Sequence, residues 1–152
     1  MIVTIEQVKQ TTGRILGVDF GDVRTGLAIS DAARFLASGM ATISPGGMDK
    51  TARAVADAAI EQRATAVVVG LPVNMNGSYG DRAEHVRIFV GLLEEKIPDT
   101  PICFVDERMT TMAASRFLNE TNTRGQKRKQ VIDTLSAQII LQNALDRLKN
   151  LS

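Results

Sequence analysis

Residues 15–30 read ILGVDFGDVRTGLAIS, and this stretch decides the fold. Ile15–Phe20 is a short apolar run that Gly21 closes, which is typical of a β-strand. Thr25–Ser30 is a second such run, so the turn between the two predicts a hairpin. Asp19 stands at the end of the first run, where α/β sheets often carry reactive groups. Its position is equally compatible with a turn aspartate that binds nearby backbone amides.

Working outward, the remaining pattern predicts an α/β fold with a mixed central sheet flanked by helices in a single domain. The predicted elements are a third strand at Ala41–Ser44, a helix at Met48–Arg63, a strand at Ala66–Leu71, a helix at Asp81–Lys96, a strand at Ile102–Asp106, a short helix at Thr110–Asn119, a basic loop at Arg124–Gln130 and a long helix at Val131–Leu148. Residues 14–150 form the domain. Residues 1–13 are an N-terminal extension, either a short helix or a frayed end.

The composition restricts the classes of protein that the chain can belong to. It has 152 residues, of which 44% are apolar, enough for one domain with a real core. It contains no apolar run near the roughly 18 residues that span a bilayer. Its first residues lack the basic start and apolar stretch of a signal peptide, so the expected location is the cytoplasm.

The single cysteine and single histidine exclude an intramolecular disulfide and a Cys/His zinc site within one chain. Any metal must therefore be held mainly by oxygen, which favours Mg²⁺ or Mn²⁺. The formal net charge of +1 gives no general attraction for nucleic acid, so such a partner requires a local basic patch.

Three further acids follow strands or open a helix. Asp106 and Glu107 end a predicted strand, where side chains alternate between faces, so only one of them can readily face a common site. The other can pair with Arg108 or cap the next helix. Asp133 falls on the apolar face of the final helix, and a buried carboxylate there needs a basic side chain or a metal opposite it. A divalent cation would keep converging carboxylates ionised.

Four segments together resemble the motifs of the YqgF family. The opening motif matches residues 17–31, GVDFGDVRTGLAISD, and the central motif matches residues 69–72 with 74–78. The third matches residues 106–108 with 110–111, and the last matches Asp133 with the apolar and amide residues at 137, 140, 141 and 142. Order and spacing agree over about residues 14–148.

The resemblance implies an RNase H-like fold and a metal-dependent nuclease. Asp19, Glu107 and Asp133 would be its catalytic and metal-binding carboxylates, with Asp106 as the alternate middle acid and Mg²⁺ or Mn²⁺ as cofactor. The implied reaction is processing of the 5′ end of the small-subunit ribosomal RNA precursor, free or in the pre-ribosomal particle. Resolution of a four-way DNA junction is the alternative. Asn76, Tyr79 and Ser136 depart from the usual residues of the family.

Basic residues flank the proposed acids. Candidates for contact with nucleic acid are Arg24, Arg108, Arg124, Lys127, Arg128 and Lys129. A basic loop beside a metal site would hold a phosphate backbone, although a charge run is also typical of a solvated loop. The loop of residues 74–80 either offers amides to an anion or is a turn with Ser78 as the N-cap of the next helix.

Two other functions remain open. Actin-like and sugar-kinase ATPases share an Asp-x-Gly turn after a first strand, but they require two such domains and the chain has one. A non-catalytic RNA-binding protein is the second alternative. The absence of Trp and the single Tyr remove the aromatic platform of a general single-strand binder. We expect a protein without a membrane partner, acting as a monomer or a homodimer.

Overall fold

In the part of the chain that the structure describes, five strands form one mixed sheet, as the sequence pattern predicts. The computed structural model describes residues 1–74, 76–106 and 125–151, with the backbone alone for residues 125–133. The elements are α1 (Ile5–Lys9), β1 (Ile15–Asp19), β2 (Gly26–Ser30), β3 (Ala37–Gly39), α2 (Met48–Glu61), β4 (Ala66–Leu71), α3 (Asp81–Lys96), β5 (Ile102–Asp106) and α4 (Gly125–Asn150). The strand order is β3-β2-β1-β4-β5.

β1 is the central strand of the sheet, so its carboxyl end lies at the middle of one edge. β1 pairs antiparallel with β2 and parallel with β4, and β4 pairs parallel with β5. Every residue of β4 is buried, which agrees with the unbroken apolar run of Ala66–Leu71. The carboxyl ends of β1, β4 and β5 therefore meet at one edge.

The sheet carries a separate apolar core on each face. Leu16, Val18 and Phe20 of the β1 segment lie in the core that α2 and α3 cover, where Phe20 stacks on Phe89 with ring centres 4.4 Å apart. The other core lies under α1 and α4 and contains Ile15 of β1. None of the helices in the described ranges combines the length and the apolar character needed to cross a bilayer.

The third strand was predicted at the wrong residues. β3 is Ala37–Gly39 rather than Ala41–Ser44, and it pairs antiparallel with β2. Of the predicted stretch, Ile43 makes a single bridge with Thr25. The residues of β3 are small, so their pattern does not indicate a strand. At Gly39 the close packing of α4 requires a small residue. A Cβ built on it would stand 2.6 Å from Cγ2 of Thr134 in α4.

The predicted basic loop is also corrected. α4 begins at Gly125, so residues 125–130 are helical. Lysine, arginine and glutamine are good helix formers, and a run of them is compatible with a helix as well as with a loop. Arg124 and the predicted helix at Thr110–Asn119 lie outside the described residues.

Residues 1–13 contain a short helix and contact the sheet. Thr4 and Gln7 form a capping box at the start of α1. Ile5 and Val8 are buried in the core under α4. Before the helix, Ile2 bridges Ile102 of β5 in the parallel sense, so this segment covers part of the β5 edge.

α4 is held to the far edge of the sheet by amide side chains. Gln138 donates from Nε2 to the carbonyl oxygen of Ala37 over 3.1 Å. Oε1 of Gln142 accepts from the Ala37 backbone N–H over 3.0 Å. One turn earlier, the hydroxyls of Thr134 and Thr42 are 3.0 Å apart. These contacts fix how α4 lies across the strands.

Candidate active site at the carboxyl edge of the sheet

Asp19 is the last residue of β1 and is half-buried. It lies opposite Gly26 in the antiparallel pair with β2, while β4 flanks β1 on the other side. Its carboxylate therefore lies at the carboxyl end of a central strand, which is where open α/β sheets bind ligands. Carboxylate oxygen is a ligand that suits Mg²⁺ or Mn²⁺.

The turn after Asp19 is tight and depends on glycine. A Cβ built on Gly21 would stand 2.3 Å from the carbonyl oxygen of Arg24, so no larger residue fits there without movement of the turn. Thr25 then pairs with Ile43 through two backbone hydrogen bonds of 2.9 and 3.0 Å. Arg24 is half-buried in this turn, five residues after Asp19.

Asp19 faces α4. Side chains alternate along a strand, so Asp19 shares its face with Ile15 and Gly17. Ile15 belongs to the core under α4, and a Cβ on Gly17 would stand 2.7 Å from Cβ of Leu141 in that helix. The close approach at Gly17 brings the α4 backbone directly over β1, two residues before Asp19.

The backbone of α4 brings position 133 to the same edge. Leu148, near the end of the helix, accepts a hydrogen bond from Lys9 at the amino-terminal side of the sheet. The helix therefore runs antiparallel to β1. From Ala137, which lies over Gly17, the four residues back to position 133 cover about 6 Å along the helix axis. From Gly17 to Asp19 the strand advances about 6.6 Å in the same direction.

Asp106 faces the opposite side of the sheet. Ile102 and Phe104 belong to the core under α2 and α3, whereas Cys103 and Val105 belong to the core under α4. The alternation puts Asp106 on the face of Ile102 and Phe104, away from that of Asp19. Asp106 is the last residue of β5 and is exposed.

Several predicted site residues lie outside the side chains that the structure describes. Glu107, Arg108 and Arg124 lie outside the described residues. The backbone of α4 includes Lys127, Arg128, Lys129 and Asp133, whose side chains also lie outside them. Among the side chains that the structure describes, no group of three or more His, Cys, Asp or Glu residues is arranged to hold a metal.

The loop between β4 and α3 forms a closed turn instead of a helix cap. Asn74 and Ser78 are joined by a backbone hydrogen bond of 2.8 Å and by a side-chain bond of 3.0 Å. Ser78 also donates to Oδ1 of Asn76. The N-cap of α3 is Gly80, without a side-chain cap, so the alternative in which Ser78 is the N-cap is wrong. Ser78 lies two residues before Gly80 and forms its side-chain hydrogen bonds with Asn74 and Asn76 of the same turn.

One cluster at this edge was missed by the sequence analysis. A small cavity of about 50 Å³ is lined by residues that include Asp22, Arg82 and His85. His85 Nδ1 lies 3.5 Å from Oδ1 of Asp22, and both side chains are largely exposed. His85 carries no recognisable motif, and no spacing pattern links it to a residue some sixty positions earlier.

Comparison with known proteins identifies the family. Residues 13–147 match the model of the RuvX family, described as Holliday junction resolvase. A protein of Phenylobacterium zucineum (strain HLK1), named "Putative pre-16S rRNA nuclease", is 41% identical over 138 residues, covering 90% of this chain and 88% of its own length. A protein of Caldanaerobacter subterraneus subsp. tengcongensis with the same name is 45% identical over 139 residues, covering 90% and 99%.

Solved structures support the fold. RuvC of Thermus thermophilus, in complex with a Holliday junction substrate, superposes with a TM-score of 0.57 at 14% identity, covering 91% of this chain and 96% of its own. The Fowlpox virus resolvase, in complex with junction DNA, gives 0.58 at 12% identity, covering 89% and 98%. At these identities the likeness shows an RNase H-like fold, as predicted. The family match over residues 13–147 and the relatives at 41% and 45% identity show that the chain belongs to the RuvX family, which is the YqgF family of the sequence motifs.

Proposed function

We propose that the protein is a metal-dependent nuclease that processes the 5′ end of the small-subunit ribosomal RNA precursor. One observation carries the proposal. Asp19 ends the central strand on the face that α4 covers, and the α4 backbone runs over that face with position 133 toward the same edge. The family match and the names of relatives at about 40% identity support the reaction class. The expected location is the cytoplasm.

Asp19, Glu107 and Asp133 are the proposed ligands of Mg²⁺ or Mn²⁺. Along β5, Cys103 and Val105 face α4, and Glu107 is the next position in that alternation, which favours Glu107 over Asp106 as the middle acid. When bound, the metal would lower the pKa of a water and stabilise charge on the leaving oxygen of a phosphodiester. The protein supplies oxygen ligands from three separate segments.

The substrate backbone is assigned to basic residues around these acids. Arg24 follows Asp19 in the β1–β2 turn, and Arg108 follows Glu107 in the sequence. Four basic residues precede Asp133 in the chain, namely Arg124, Lys127, Arg128 and Lys129. They would contact the phosphates of an RNA strand bound beside Asp133. We propose precursor RNA, free or within the pre-ribosomal particle, as the partner.

Asp19→Asn provides the first test. End-labelled small-subunit precursor RNA would be incubated with Mg²⁺ or Mn²⁺ and either wild-type protein or the variant. We expect wild-type cleavage to vanish on chelation of the metal and to fall by at least about a thousandfold in the variant, because a neutral amide replaces an anionic ligand. The variant should still unfold cooperatively in urea.

Asp22→Asn is the matched control, since Asp22 is an exposed acid in the same turn. It should cleave as fast as the wild type. Equal cleavage by the wild type and Asp19→Asn would overturn the assignment of the site. Cleavage abolished in both variants would mean that the turn, rather than the Asp19 carboxylate, was being tested.

Junction resolution is the second candidate, favoured by the description of the family model and by the fold of the two resolvases. A four-way DNA junction would be assayed beside the precursor RNA. Preferential cleavage of the junction at symmetric positions would replace the proposed substrate with DNA. We prefer precursor RNA as the substrate because the relatives named for it are far more similar in sequence to this chain than the resolvases are.

A further inference from the structure

A second cleft lies at the amino-terminal side of the sheet, away from Asp19. Its volume is about 380 Å³, and it is lined by residues 9 and 11–13, by residues 32–35, and by residues 145, 148 and 149 of α4. We call it the distal cleft. From Ile15 to Asp19 β1 spans about 13 Å, so the cleft is separated from the proposed metal site by at least the length of this strand.

The distal cleft concentrates positive charge. Lys9, Arg34 and Lys149 line it, and none of its lining residues is acidic. The pKa of the Asp31 carboxyl is lowered mainly by the hydrogen bond from the Leu36 backbone N–H and to a smaller extent by the charge of nearby Lys149, but Asp31 does not line the cleft. Asp146 is a second acid beside the cleft, since its Oδ1 accepts from the same Gln142 Nε2 that donates to the carbonyl oxygen of Phe35. The three cations of the lining outnumber these two acids. The cleft is therefore suited to an anion.

Arg34 is held in place by neutral groups. It has a left-handed backbone with φ of 64°, and its guanidinium donates to the carbonyl oxygens of Gly13 and Val8 over 2.7 and 3.2 Å. It also donates to the hydroxyls of Thr11 and Thr65 over 2.7 and 3.3 Å. A guanidinium has five N–H donors, so one Nη1–H remains after the bonds made with the described residues.

Burial makes this cation costly. Desolvation lowers the pKa of Arg34 from its ordinary value, and among the described residues its hydrogen-bond partners carry no negative charge. Lys9 similarly uses Nζ to bind the carbonyl oxygens of Leu148 and Leu151 at the end of α4. An anion in the cleft would offset the charge of both cations and accept from their remaining donors.

The remaining wall is apolar and partly aromatic. Leu145 and Leu148 line the cleft from α4, and Phe35 at its rim is 58% exposed. Nζ of Lys149 lies 4.9 Å from the centre of that ring. A flat exposed ring beside cations matches a ligand that joins a flat base to a phosphate, because bases stack on aromatic side chains.

We propose that the distal cleft binds a nucleotide, with the phosphate against Lys9, Arg34 and Lys149 and the base against Phe35. A free mononucleotide and a nucleotide within a bound RNA strand offer this same chemistry. The free ligand is independent of the proposed nuclease function, whereas the strand rests on it.

Calorimetric titration with adenosine 5′-monophosphate tests the cleft, with adenosine and inorganic phosphate as partial ligands. We expect the intact nucleotide to bind at least about tenfold more tightly than either part. Lys149→Gln and Phe35→Ala should each weaken it severalfold. Both side chains are exposed at the rim, so urea unfolding should remain cooperative. Lys50→Gln, which removes an exposed positive charge on α2, should bind as the wild type does.

A short RNA oligonucleotide distinguishes the two sources. It would be titrated into Asp19→Asn protein without divalent metal, so that cleavage plays no part. If the strand occupies the cleft, Lys149→Gln lowers the salt dependence of oligonucleotide binding by about 0.7 in log–log slope, and Lys50→Gln does not. If only the mononucleotide depends on Lys149, the cleft takes a free nucleotide.

The cleft proposal is overturned if adenosine 5′-monophosphate does not bind, or if Lys149→Gln binds both probes as the wild type does. Failure of the nuclease proposal would look different. Wild-type protein would then leave the precursor uncut while still binding the mononucleotide through Lys149.

Discussion

Gly17 sets the distance between α4 and the central strand. A Cβ at this position would stand 2.7 Å from Cβ of Leu141, closer than packed carbons approach, so Gly17→Ala must displace the helix. We expect the free energy of unfolding in urea to fall by about 1–3 kcal/mol, the usual range for overpacking. RNA cleavage should fall as well, because α4 also carries Asp133.

Gly91→Ala is the matched control for this substitution. Gly91 lies in α3, and a Cβ on it would meet nothing within 4 Å. Since alanine is favoured over glycine inside a helix, this variant should gain about 0.5–1 kcal/mol. A loss of similar size in both variants would mean that contact with Leu141 is not what makes Gly17 necessary.

Ser136 is expected to cost stability. Its side chain is 2% exposed, and its hydroxyl makes no hydrogen bond within the described structure. An unpaired buried hydroxyl is unfavourable and alanine is the better helix former, so Ser136→Ala should raise the free energy of unfolding by about 1 kcal/mol. Urea denaturation measures the change.

Ser30 provides the opposite case at the same burial. Its hydroxyl accepts from the Ile15 backbone N–H and donates to the Asp31 carbonyl, both over 2.9 Å. Ser30→Ala should therefore lose stability by about 1 kcal/mol, since Ile15 loses its acceptor. Stabilisation by both substitutions would show that hydrogen bonding does not distinguish the two serines.

At the residue scale, the sequence predicts where Asp19 lies because an acid that ends an apolar run must come at a strand end. It leaves Asp106 and Glu107 undecided for a physical reason. Strand alternation predicts that the two face opposite ways, but the helix that covers each face is known only once the chain is folded. The observed cores show that Asp106 shares its face with Ile102 and Phe104.

At the scale of elements, α4 is bound to β3 by glutamines. Gln138 and Gln142 bond to the backbone of Ala37, so replacing either by alanine should cost about 0.5–1.5 kcal/mol. Hydrogen exchange of the Ala37 amide should accelerate in Gln142→Ala, which removes its acceptor. Asn143→Ala, at an exposed position of the same helix, should change neither quantity. Unchanged exchange in Gln142→Ala would contradict the role of the contact.

The same contacts explain which elements the sequence could not predict. Apolar periodicity identified β1, β2, β4, β5, α2 and α3, whose own residues fill the cores. β3 has three small residues, Ala37, Ser38 and Gly39, and it is a strand because β2 and α4 lie on either side of it. A strand that is stabilised mainly by its neighbours is difficult to predict from its own sequence.

At the scale of the whole molecule, the reactivity of Cys103 can report on whether α4 is packed against the sheet. It is the single cysteine of the chain, it is buried under α4, and burial raises the pKa of its thiol to about 11. We expect little reaction with a disulfide reagent at pH 8 in the folded protein, and reaction in step with unfolding as urea is added. Rapid stoichiometric reaction without urea would contradict the burial of Cys103 under α4.

The same thiol makes stability depend on pH. In the unfolded chain it ionises near its ordinary pKa of 9.0, whereas in the folded protein it keeps its proton up to about 11. The folded state therefore binds more protons between these values, so the free energy of unfolding should fall as the pH rises through this window. Cys103→Ala should remove that part of the pH dependence in urea titrations.

The position of α4 in the chain has a consequence during synthesis. Every strand that the structure describes precedes it, so the face that carries Asp19 emerges from the ribosome before the helix that covers it. Earlier segments fold first as a chain is made. If Asp133 completes the metal site, the nascent enzyme stays inactive while it is still tethered beside ribosomal RNA. The proposed site would then be completed only after the α4 segment has left the ribosome.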